Sequence, residues 1–240
     1  MSAPAALATL VSQGKLRATI NVGNPILASL DKSTGAPRGV SVDIAHELAK
    51  RIGASLDLIV VDAAAKAVET VTAGGADVGF FAIDPVRGAG IAFTAPYVLI
   101  EGCYLVQRES PITDNTQVDD PRMRVVVGAG SAYDLFLTRE LKRAAIVRVP
   151  TSPAVVDAFV EQGLEVAAGV KQQLQADAMR HPGLRLIDTP FMVIQQAMGV
   201  PKVRGEAAAQ YLRAFIDDLR ASGFVRDSLA RHGIKGATPG

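Results

Sequence analysis

Residues 68–79 align without a gap with residues 156–167, and this constrains the fold more than any other feature of the chain. Val68-Glu-Thr-Val-Thr-Ala-Gly-Gly-Ala-Asp-Val-Gly79 and Val156-Asp-Ala-Phe-Val-Glu-Gln-Gly-Leu-Glu-Val-Ala167 share one grammar. Each reads as a helix closed by glycine, then one residue, an acid and a buried strand. That is the junction of an α/β unit, and two such junctions 88 positions apart imply two lobes built alike. A solenoid would repeat at a shorter period. Any helix–glycine–strand junction has this look, so the flanking segments decide the matter.

Those segments continue the same pattern. Residues 16–22 are apolar and β-prone, and Gly23-Asn24-Pro25 stops them. After Gly39, the residues Val42, Ile44, Ala45, Leu48, Ala49 and Ile52 recur at helical spacing, and Gly53 closes the helix. A buried strand is expected at 56–61, a helix at 64–73 and a strand at 78–83. In the second half, a strand at 124–127 ends in Gly128-Ala129-Gly130-Ser131, followed by helical spacing at Tyr133, Leu137 and Leu141. A strand at 145–149, a helix from Pro153 to Gly163 and a strand at 166–170 complete it. Alternation of this kind predicts an α/β fold of two lobes, each a mainly parallel sheet flanked by helices. The carboxyl-terminal stripe Ala209, Leu212, Phe215, Ile216 and Leu219 predicts an amphipathic helix.

Composition removes several classes of function. Twenty-five Lys and Arg against 24 Asp and Glu leave a net charge of +1, without the basic excess of a nucleic-acid binder. The single cysteine, Cys103, excludes an internal disulfide and a multi-cysteine metal site. His46, His181 and His232 have no zinc-ligand spacing, so neither metal nor cofactor is expected. No apolar run approaches the roughly 18 residues of a membrane span. Residues 1–11 are small and apolar without a leading positive charge, which is not the order of a signal peptide. Either the protein is cytoplasmic, or a signal has been removed.

Four stretches resemble the family 3 extracellular solute-binding proteins, whose type 2 periplasmic-binding fold is best known for polar amino acids. Gly39-Val-Ser-Val-Asp43-Ile is similar to that family's turn into its first helix, and Gly75-Ala-Asp77-Val to its glycine–acid junction. Asp84-Pro-Val-Arg87 through Phe93-Thr-Ala-Pro96-Tyr97 resembles its arginine and Phe-Ser-x-Pro-Tyr segment. Gly128-Ala-Gly130-Ser131 resembles the turn that opens its second lobe. The resemblance implies lobe 1 over 1–100 plus 196–240, lobe 2 over 104–192, and hinges near 100–104 and 192–196. It also implies a ligand cleft between the lobes, a monomer, and an ABC transporter permease as partner.

The resemblance assigns the site residue by residue. Arg87 stands where the family clamps a ligand carboxylate, a task suited to the two parallel N–H donors of a guanidinium. Ser131 and Ala132 stand at a helix start that favours an anion. Asn21 and Asn24 are candidate polar groups, Phe81 and Ala82 candidate lining. Two departures stand out. Val170 occupies the place of the family's acid, with Lys171 after it, and the segment from Asp77 to Arg87 is short and apolar. The amino-recognition half of the site is therefore dismantled, and Lys171 is either a second cation for the ligand or a solvated helix-start lysine. Gln195 and Gln196 either line the site or pair through their backbone. A small carboxylate-bearing solute, an organic anion or an atypical amino acid, is the expected ligand. The alternatives are a cytoplasmic or regulatory ligand sensor and a lyase similar to cyclohexadienyl dehydratase.

Overall fold

A computed structural model describes residues 10–11 and 14–240, and the reading of residues 1–9 as lacking an export signal lies outside the described residues. The main elements in chain order are β1 Lys15–Asn21, α1 Val40–Ile52, β2 Ser55–Val61, α2 Ala64–Thr72, β3 Gly79–Ala82 and β4 Ile91–Gln107. Then follow β5 Arg124–Gly128, α3 Ala132–Glu140, β6 Ala145–Val149, α4 Val155–Glu161, β7 Val166–Val170 and α5 Lys171–Arg180. The chain ends with β8 Leu184–Leu186, β9 Met192–Pro201, α6 Glu206–Ala221 and α7 Phe224–Arg231. No helix among the described residues is long and apolar enough to cross a membrane. The chain divides into two compact units: unit 1 is Met1–Leu99 with Gln195–Gly240, and unit 2 is Ile100–Ile194.

In unit 1, β1 and β2 pair in parallel from Lys15↔Ser55 to Asn21↔Val61. A parallel bridge, Ala18↔Val78, leads on toward β3, which pairs antiparallel with β9 from Gln196↔Ala82 to Gly199↔Gly79. The α1 stripe buries Val42, Ile44, Ala45, Leu48, Ala49 and Ile52. Gly39 before it has φ 129°, and a Cβ there would lie 2.3 Å from the Leu27 carbonyl oxygen, so only glycine fits the turn. One expectation fails: residues 56–61 are not a buried strand. Their sides alternate between half-buried and exposed, with Val60 at 41% exposure. The reason is topological, because β2 has β1 as its sole strand neighbour and so forms an edge.

In unit 2, β5 runs parallel to both β6 and β7, while β7 is antiparallel to β4 through Gly102↔Val170 and Leu105↔Ala167. Each unit thus has a parallel α/β part with an antiparallel member. That member is β4 or β9, the segments through which the chain passes from one unit to the other. The unit 2 core gathers Leu105 of β4, Val126 of β5, Val156 and Phe159 of α4, Ala167 of β7 and Leu174 of α5. Apolar strands covered on both sides read as continuous Val and Ala runs, as 124–128 and 166–170 do.

Two acids pin unit 1. Asp77 is fully buried. It accepts from the Arg17 backbone N–H at 2.9 Å, from Arg17 Nη2 at 2.8 Å, and from Arg204 Nη2. One carboxylate therefore holds the first strand, the entry to β3 and the turn before α6. Asp43 of α1 accepts from Ser228 Oγ at 2.6 Å, Arg231 Nη1 at 2.8 Å and His232 Nε2 at 3.0 Å, which fastens α7 to α1. Replacing Asp77 leaves two guanidiniums facing each other without their anion. Asp77→Ala is expected to cost about 3 kcal/mol, measured as a shift of the urea unfolding curve, and a loss below about 1 kcal/mol contradicts this anchoring role.

Candidate functional site

The unit 1 half of the candidate site is built on the turn 84–87. Asp84 Oδ1 accepts from the Val86 N–H at 2.8 Å, and the Asp84 carbonyl accepts from Gly88 at 2.9 Å, so the acid shapes the turn that carries Arg87. Arg87 opens a short 3₁₀ turn, Arg87–Ala89. Its guanidinium is 5% exposed and donates from Nη1 to the Ala82 carbonyl at 3.1 Å. Loss of water pushes the Arg87 pKa down to about 10, and the attraction of Asp84 only partly opposes this. The group stays charged at neutral pH. A dewatered guanidinium presents planar donors matched to a carboxylate or phosphate.

The other unit 1 candidates are placed as follows. Asn21 Oδ1 accepts from the Gly23 N–H at 2.9 Å, which closes the turn after β1. Asn24 Oδ1 is buried with no hydrogen-bond partner among the described residues, which is costly unless something else supplies a donor. Phe81, expected as a lining residue, is held by packing contacts within unit 1. It is 3% exposed, packs in a cluster with Ala67, Val71, Ala76 and Ile91, and meets Phe93 at 6.3 Å between ring centroids. Its neighbour Phe80 sets its ring edge-on to Tyr97 at 5.9 Å. Strand β3 is covered on both faces, so neither ring is spare. Ala82 contributes its carbonyl to Arg87. Gln195 and Gln196 pair through the backbone: the Gln195 carbonyl accepts from Ile83 at 2.8 Å, and Gln196 is in register with Ala82.

The unit 2 half is built at the carboxyl ends of β5 and β7. At Gly128 a Cβ would stand 2.8 Å from the Ser152 nitrogen, and Gly130 has φ 66°, so this tight turn needs its glycines. Ser131 caps α3, its Oγ accepting from the Asp134 N–H at 3.1 Å. Asp134, not foreseen from sequence, accepts from the Gly130 N–H at 2.8 Å and from Arg148 Nε at 3.0 Å. The helix start thus carries its own carboxylate, while the Ala132 and Tyr133 N–H groups follow it in the first turn. At the end of β7, Val170 is 8% exposed and precedes Lys171, the first residue of α5.

Lys171 has an acidic partner within unit 2. Its Nζ lies 2.6 Å from Glu101 Oε2, and this bond raises the lysine pKa. Glu101 escaped the sequence reading because its partner is 70 positions away. The available signal was an acid inside the apolar run 97–106. No cluster of three or more His, Cys, Asp or Glu arranged for a metal occurs among the described residues.

Three comparisons bear on this arrangement. The sequence profile of the bacterial extracellular solute-binding proteins, family 3, matches residues 16–233. No curated protein matches the chain significantly. Among solved structures, the solute receptor for L-cysteine of Neisseria gonorrhoeae superposes with a TM-score of 0.80 at 21% identity, covering 98% of this chain and 95% of that one. An amino acid ABC transporter substrate-binding protein from Streptococcus pneumoniae, bound to L-arginine, gives 0.79 at 15% identity, covering 94% and 97%. A histidine kinase sensor domain with similarity to periplasmic binding proteins gives 0.80 at 16%, covering 94% and 98%. These likenesses establish a shared two-lobed α/β fold.

The capping geometry makes a direct forecast. Ser131→Ala removes the acceptor for the Asp134 N–H and is expected to cost about 1 kcal/mol of stability, while Ser131→Asp keeps it. Thermal unfolding of both variants checks this, and an Ala variant as stable as the parent contradicts it.

Proposed function

This chain belongs to the bacterial extracellular solute-binding proteins, family 3, and from that premise we propose that it binds a small carboxylate-bearing solute without transforming it. In this reading it is the solute-binding component of an ABC-type transporter and works outside the cytoplasm. The observation that carries the proposal is Arg87: a charged guanidinium, 5% exposed, held on a turn that the sequence shapes for it. A cation so dewatered gains more from a carboxylate than an exposed one does, because water no longer competes.

Unit 2 supports the reading from its own side. The start of α3 offers Ala132 and Tyr133 N–H groups and the positive end of a helix dipole, both suited to an anion. Val170, where an acid would be needed to protonate a leaving group, supplies no proton, which favours binding over lyase chemistry. The chain passes from unit 1 to unit 2 at Leu99–Ile100 and returns at Ile194–Gln195, which supports hinges near 100–104 and 192–196. A monomer suffices for this role. The likeness to a histidine kinase sensor domain supports a second reading, in which a signalling partner reads the same binding event in place of a permease.

A thermal-shift screen of organic acids and amino acids identifies the ligand, because a ligand that binds only the folded state raises the melting temperature by mass action. Arg87→Met, close in volume but uncharged, is then expected to weaken that ligand by at least about 100-fold in calorimetry. A folded Arg87→Met variant with unchanged affinity contradicts the proposal.

A further inference from the structure

We propose that the Glu101–Lys171 ion pair sets the charge class of the ligand, making the unit 2 half-site reject a solute with a second carboxylate. The inference rests on the carboxylate-binding reading above and narrows it to monocarboxylates.

Lys171 follows the last residue of β7 and opens α5, so it stands at the carboxyl end of a parallel strand. In open α/β sheets that end is where ligands bind. Glu101 reaches the same point from β4, where its neighbour Gly102 is in register with Val170. On the far side of β7, strand β5 ends in the turn that starts α3. The pair therefore lies at the end of unit 2 that carries the anion-favouring helix start.

Charge and exposure make the pair a selector. A lone lysine at the first position of a helix opposes the helix dipole, and it would recruit any second carboxylate that a ligand brought. Glu101 answers that cation at 2.6 Å. The Cys103 thiol beside them is pushed up to about 11 by burial and stays neutral. The pair is balanced, one cation against one carboxylate, so it leaves no net cation to recruit a second carboxylate. The side chains are 29% and 39% exposed, within reach of a solute. An ion pair this exposed contributes little to stability, so holding the fold together does not account for it. Elsewhere in unit 2 the Asp134–Arg148 pair is likewise balanced and supplies no cation for a second carboxylate.

The test uses matched probes that differ by one carboxylate: pentanoate and glutarate, benzoate and terephthalate, glutamine and glutamate. Calorimetry on the whole chain measures the ratio of monocarboxylate to dicarboxylate affinity for the parent, Glu101→Gln and Lys171→Gln. The parent is expected to favour the monocarboxylate by at least about tenfold. Glu101→Gln unmasks Lys171 and is expected to shift the ratio at least about tenfold toward the dicarboxylate, whereas Lys171→Gln shifts it the other way. A parent that prefers dicarboxylates overturns the proposal, as does a ratio unmoved in both folded variants. If Glu101→Gln fails to fold, the direction of the Lys171→Gln shift decides alone. If the parent binds no carboxylate in the series, the functional reading itself fails and takes this inference with it. A parent that binds them while its variants show no shift overturns only the inference.

Discussion

Burying the Arg87 guanidinium is unfavourable in itself, since water stabilises the charged form and burial removes it. The loss outweighs the attraction of Asp84, yet the group remains charged at neutral pH. Unit 1 holds it in that state by construction. The Asp84 turn fixes its backbone, the Ala82 carbonyl takes one donor, and Phe80 and Phe81 of the preceding strand pack edge-on against Tyr97 and Phe93. A cation presented this way is organised before a ligand arrives, so little order remains to be imposed on binding.

The anchors around it explain why the recognisable motifs recur where they do. Asp77 joins the first strand to the turn before α6, and Asp43 joins α1 to α7. Unit 1 is assembled from two segments of the chain, Met1–Leu99 and Gln195–Gly240, that unit 2 separates in sequence. Buried or half-buried acids bonded to Arg17, Arg204 and Arg231 close that gap. These motif residues therefore stabilise the unit that carries Arg87.

Local patterns made most of the fold legible. The glycine-closed helices, the α1 stripe and the Val and Ala strands depend on residues within a few positions of one another, and each stands within a residue or two of its expected place. The α3 cap at Ser131 was legible for the same reason. What escaped depends on partners far along the chain. Residues 56–61 are apolar enough for a buried strand, but their exposure follows from having one strand neighbour, which periodicity does not encode. Phe81 packs with Ala67 and Val71 of α2 while Phe80 meets Tyr97, contacts that an apolar run alone does not assign. For Lys171 the sequence leaves a second ligand cation and a solvated helix-start lysine open, because its partner Glu101 lies 70 residues earlier, inside a run whose apolar character hides it. In the site, then, residue types were readable and their pairings were not.

The central claim is that the Arg87 guanidinium receives the solute's carboxylate. A crystal structure of the protein with the ligand found by thermal shift tests it most directly. The account predicts two parallel N–H···O bonds of about 2.7–2.9 Å from Arg87 to one carboxylate. A ligand whose carboxylate is held elsewhere, with Arg87 bonded only to protein groups, contradicts it.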